Sequence, residues 1–189
     1  MAEMDELDKK KIRLKISNDT RKFEIELFWK RSLFFWGFIA SAFIAFVASY
    51  KSNPILSFVI ANFGLACSIA WTLANRGSKF WQENWEQCVT NNEDEVIGPL
   101  FKEVQPRLDK DGFWLSARRF SVSKLTIALS DYVAILWLFI NSYLIIKILN
   151  IEFAILMDNT VLLLTLFTLI WIVLTLHFSK GKSVDSKEK

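Results

Sequence analysis

Four long apolar runs separated by charged stretches dominate the chain. Residues 32–50 form 19 positions without a charge, residues 52–75 form 24, residues 125–146 form 22 with Asp131 as their one charge, and residues 159–179 form 21 with His177 near the end. A bilayer core about 30 Å thick is crossed by roughly 20 apolar residues in a helix that rises about 1.5 Å per residue. Lipid offers no partner to a backbone amide, so only helices or closed barrels span it. Barrel strands would alternate over about ten residues, and these runs do neither. Four such helices in a water-soluble domain would leave too little amphipathic chain to cover them. The pattern predicts an all-α membrane protein with four transmembrane helices in two hairpins, residues 32–75 and 125–179. A cytoplasmic N-terminal tail and helix (1–31), a cytoplasmic helical segment (76–124) and a cytoplasmic C-terminal tail (180–189) complete the expected organisation.

Residues 1–15 are densely charged and are expected to fray. Asn18, Asp19 and Thr20 carry capping side chains and predict a helix start there, running through Arg31 toward the first span. Trp29 and Trp36 fall where interface aromatics are expected. The first span carries Gly37, Ser41, Ala45 and Ala48 on one helical face, and the second carries Ser57, Ala61, Gly64, Ser68, Thr72 and Asn75 on another. Small faces let helix backbones approach closely in lipid. They fit either packing within one hairpin or packing between subunits. The short loop containing Asn53 and Pro54 makes the first two spans antiparallel neighbours. Beyond the second span, Trp81, Trp85, Cys88 and Val89 share an amphipathic face. The acidic cluster Glu93, Asp94 and Glu95 reads as a solvated face. Val96, Ile97, Leu100, Phe101 and Val104 form a further apolar set broken by Gly98 and Pro99, and Pro106, Asp111 and Gly112 mark loops.

Charge orients the chain. The segments before the first span, between the second and third, and after the fourth together hold 21 of the 23 Lys and Arg residues; the hairpin loops hold only Lys51 and Lys147. The positive-inside rule places both termini and the central segment in the cytoplasm. The net charge of +3 follows this sorting and gives no sign of nucleic-acid binding. No cleavable signal peptide is expected, since the first apolar run follows a long charged stretch. Cys67 and Cys88, at different depths and facing a reducing compartment, are expected to stay unpaired.

Candidate chemistry is sparse. The motifs of zinc hydrolases, thiol redox centres, serine hydrolases and phosphate-binding loops are absent from the sequence, and an enzyme, a cofactor and a metal site are not expected. Asp131 is the one ionisable candidate within a span, with Asn141 and Ser142 as further polar positions. It reads either as a functional group or as a residue held by a hydrogen bond or reaching toward the interface. Arg76, Trp81, Trp85 and Glu86 cluster beyond the second span, where tryptophans anchor a helix at the headgroups or stack on a ligand.

Four segments carry a family resemblance: Phe23-Glu-Ile-Glu-Leu-Phe-Trp-Lys-Arg31, Asn75-Arg-Gly-Ser-Lys-Phe-Trp-Gln-Glu-Asn-Trp-Glu86, Asn92-Glu-Asp-Glu-Val-Ile-Gly-Pro-Leu100 and Phe120-Ser-Val-Ser-Lys124. Together they resemble the RipA-like octameric membrane protein family of bacteria, from about Asp19 to the end of the fourth span. The resemblance implies a homo-octamer of the cytoplasmic membrane and brings no catalytic residues. The expected partners are other copies of the chain, membrane lipids and a cytoplasmic protein. The expected role is a membrane scaffold; an oligomeric channel or membrane-perturbing effector in stress or antiphage defence is the alternative. Gly37, Ser41, Ala45, Ala61, Gly64, Ser68, Arg76, Trp81, Trp85 and Glu86 are the candidate assembly positions.

Overall fold

A computed structural model describes residues 5–103, 120–149 and 160–178. The described residues form four helices: α1 (Glu6–Ser49), α2 (Pro54–Glu93), α3 (Val122–Ile148) and α4 (Thr160–Phe178). Among the described residues every regular element is a helix, as expected. Helices α1, α2 and α3 are each long and apolar enough to cross a membrane, while the described apolar stretch of α4 covers Leu166–Thr175. The loops expected at Pro106, Asp111 and Gly112, and the tail 180–189, lie outside the described residues.

Two boundaries differ from the sequence reading. Helix α1 starts at Glu6, so residues 6–15 are helical and Asn18, Asp19 and Thr20 are interior. The Thr20 hydroxyl donates to the Ile16 carbonyl (2.8 Å), which satisfies the side chain that would otherwise cap. Acidic Glu6 and Asp8 occupy the first turn, where the helix dipole favours them, and pair with Lys9 and Lys11. Helix α2 runs unbroken to Glu93, so the helix that carries the second apolar run continues past position 75 instead of giving way to separate short helices.

The chain divides into two compact units, residues 1–32 with 74–117, and residues 33–73 with 118–189. In the first unit, Leu14, Ser17, Phe28 and Ser32 of α1 are buried, as are Asn75, Ser78, Gln82, Val89 and Glu93 of α2. This seam is largely polar. Arg31 donates to the Ser78 hydroxyl at 2.7 Å, Ser32 to the Asn75 amide oxygen at 3.4 Å, and Arg21 lies 3.8 Å from Glu86.

In the second unit, Ala42, Ala61, Trp137 and Leu144 form the buried core, with Phe43, Phe46, Phe58 and Tyr143 packed against it. A tight turn joins α1 to α2. The Asn53 side chain accepts from Leu56 N (3.0 Å) and Pro54 takes the first helical position, where its missing donor costs nothing. The Ser49 and Ser57 hydroxyls meet across the turn at 3.0 Å. Ser121 caps α3 by accepting from Lys124 N. Helix α4 is held on α3 by the Trp171 indole donating to the Ala128 carbonyl (3.1 Å) and by a 3.0 Å hydroxyl contact between Tyr132 and Thr168.

Candidate functional site

The two small-residue stripes have different fates. On α2, Ala61, Gly64 and Ser68 are buried, with the Ser68 hydroxyl turned back to the Gly64 carbonyl at 2.8 Å. Trp137 of α3 fills the space over Gly64. A Cβ built on Gly64 would lie within 2.8 Å of three indole carbons. That indole stacks on Phe43 (centroids 4.3 Å) and meets Phe46 edge-on (5.9 Å). The α2 stripe is therefore an intrachain packing face.

On α1 the stripe is uncovered. Beyond its chain neighbours and its own helix backbone, Gly37 has nothing within 4 Å of where a Cβ would stand, and Ser41, Ala45 and Ala48 are exposed. The Ser41 hydroxyl donates to the Gly37 carbonyl at 2.9 Å, which leaves a smooth, hydrogen-bond-satisfied surface. The face that α1 buries within the unit is a different one, containing Ile39, Ala42 and Ser49.

The residues expected just beyond the second span do not form one face. Glu86 is half-buried beside Arg21 and Trp85 is half-buried, whereas Arg76 and Trp81 are exposed. The buried track runs instead through Asn75, Ser78, Gln82, Val89 and Glu93, so of the expected amphipathic set only Val89 is buried. Cys67 and Cys88 are both half-buried free thiols.

The acidic cluster is also divided. Asp94 and Glu95 are exposed, but Glu93 is fully buried. Its carboxylate accepts the backbone N–H groups of Phe101 (2.7 Å) and Lys102 (3.1 Å). Gly98 turns the chain with φ of 77°, in the left-handed region that glycine favours. The ion pairs Lys102–Asp94 and Lys10–Glu95 tie the turn down on either side. The reading of Glu93 as solvated is thus corrected: charge-assisted hydrogen bonds compensate its burial. The signal was in the spacing, since Glu93 continues the track of Asn75, Gln82 and Val89 at steps of 7, 7 and 4.

The intramembrane polar positions also separate. Asn141 is buried and donates to the Trp137 carbonyl at 2.9 Å, while Ser142 is exposed and donates to the Leu138 carbonyl. Asp131 is half-buried and lines a groove of about 340 Å³ between α3 and α4, with Lys124, Ala128, Trp171 and Phe178 among its walls. The three residues share no continuous surface. Trp137, which organises the core, had no distinguishing mark in the sequence. Its indole N–H and the Asn141 amide oxygen are buried without a partner.

Among the described residues no cluster of His, Cys, Asp or Glu has the arrangement of a metal site. A family model described as the octameric membrane protein family matches residues 11–146. Neither a curated protein nor a solved structure matches the chain.

Proposed function

Because the chain belongs to the octameric membrane protein family, we propose that eight copies form a non-enzymatic scaffold in a bacterial cytoplasmic membrane, with the first compact unit as its cytoplasmic interaction face. In this reading α4 is a fourth span and both termini are cytoplasmic, in keeping with the sorting of Lys and Arg to one side. The observation that carries the proposal is the uncovered small-residue stripe of α1. Lipid tails are as apolar as leucine, so helices associate in a membrane through close backbone packing, which small residues permit. The equivalent stripe on α2 is already filled by Trp137. The α1 stripe is therefore the small-residue surface left for another copy.

The test is the mass of the purified protein in nanodiscs. Wild type is expected at eight subunits. Ser41→Leu with Ala45→Leu should shift it to smaller species by overpacking the contact, whereas Val47→Leu, at an exposed position off the stripe, should not. An octamer indifferent to the stripe substitutions would refute the role given to α1, and a wild-type monomer would refute the assembly.

A further inference from the structure

The first compact unit carries exposed apolar surface. Ile12, Ile16 and Phe23 are 46%, 56% and 59% exposed. At 100° per residue they lie on one side of α1, opposite the Leu14, Ser17 and Phe28 face that is buried. All three precede residue 32, where the uncharged run begins, by 9 to 20 positions. With this unit cytoplasmic, as proposed above, apolar side chains at these positions face water unless protein covers them.

A second apolar surface in the same unit lies at the far end of α2. The turn over residues 94–102 exposes Ile97 at 49% and Leu100 at 66%. This turn is built to hold its shape: the buried Glu93 carboxylate grips the amides of Phe101 and Lys102, and the Lys102–Asp94 and Lys10–Glu95 pairs flank it. Its level along α1 is set by two contacts. Glu95 meets Lys10, and the Phe101 ring lies 5.9 Å from the Arg21 guanidinium. Ile97 and Leu100 therefore fall within the stretch of α1 that carries Ile12 and Ile16.

That match of level matters in a ring. Copies inserted with one membrane orientation are related by rotation about the membrane normal, so neighbours touch through two different patches of the same unit. We infer that the turn over residues 94–102 is a docking knob, seating Ile97 and Leu100 of one copy against the Ile12, Ile16 and Phe23 strip of the next. Glu93 is the residue that positions it. The inference rests on the octameric reading above and adds to it a cytoplasmic, head-to-tail contact. A cytoplasmic protein on the strip, or no cover at all, is the competing outcome.

The test is cross-linking of the full chain in membranes, in a background with Cys67→Ser and Cys88→Ser. Ile16→Cys combined with Leu100→Cys, treated with a short bis-maleimide, should give a ladder rising past the dimer toward eight rungs. Each single variant should stay monomeric on the gel. Dimers from Ile16→Cys alone would mean a symmetric contact and would overturn the inference, as would no cross-linking from the pair. The second arm is Ile16→Glu, which should lose the octamer in nanodiscs while Ile16→Leu keeps it; retention by Ile16→Glu overturns the docking role. A wild-type octamer that fails these arms sinks only the docking knob, whereas a wild type that is not octameric sinks the assembly reading itself.

Discussion

Replacing Gly64 by alanine tests the α2–α3 packing with one carbon atom. The added Cβ would sit within 2.8 Å of three carbons of Trp137, where ordinary carbon contacts lie at about 3.5–4.0 Å. One partner must therefore move by roughly 1 Å. Trp137 is fully buried, with Phe43 stacked against it and Phe46 against its edge, so it has nowhere to retreat. Overpacking of this kind costs about 1–3 kcal/mol. Alanine recovers up to about 1 kcal/mol through helix propensity. Gly77→Ala, on the same helix with nothing within 4 Å, collects that gain without the clash. The difference between the two variants isolates the contact and should be about 1–3 kcal/mol. It is read from SDS titration of the helical circular-dichroism signal in mixed micelles. Trp137→Phe in the Gly64→Ala background should recover most of the loss. The smaller ring makes room and removes an indole N–H that has no partner. Equal stabilities for Gly64→Ala and Gly77→Ala, or strict additivity of the Gly64 and Trp137 substitutions, would refute the argument.

Glu93→Ala should leave the Phe101 and Lys102 amides without their carboxylate, at a cost of about 1–3 kcal/mol for each group kept from water, and speed their hydrogen exchange; unchanged exchange would show that the carboxylate does not hold the turn. Asp131→Asn should alter stability and leave planar-bilayer recordings silent, because Asp131 lines a groove between α3 and α4 while Asn141 is buried and Ser142 faces outward. Reproducible cation-selective currents that lose selectivity in Asp131→Asn would overturn that and favour a channel.

The particular elements explain which features could be read in the chain itself. Long apolar runs mark α1, α2 and α3 as helices able to cross a membrane because bilayer thickness is an external ruler that each run meets independently. Charge sorting gave an expected orientation for the same reason, since each loop is counted without knowing its neighbours. The turn at Asn53 and Pro54 was equally local, and its cap and proline stand where the residue types imply.

Other features depended on contacts between distant residues. The start of α1 moved to Glu6 because Leu14 and Ser17 are buried in the first unit and Thr20 bonds back to its own helix, although its side chain also suits a cap. Glu93, Asp94 and Glu95 are chemically alike, yet one is buried and two are exposed; the choice followed from the phase of α2 and from the return of the chain to residues 101 and 102. The stripes on α1 and α2 share a pattern of small residues at helical spacing. By itself the sequence determined that both helices could pack closely. Only the tertiary structure decided that Trp137, 73 positions away from Gly64, fills the α2 stripe and leaves that of α1 open, because a packing face is used up by whichever side chain reaches it.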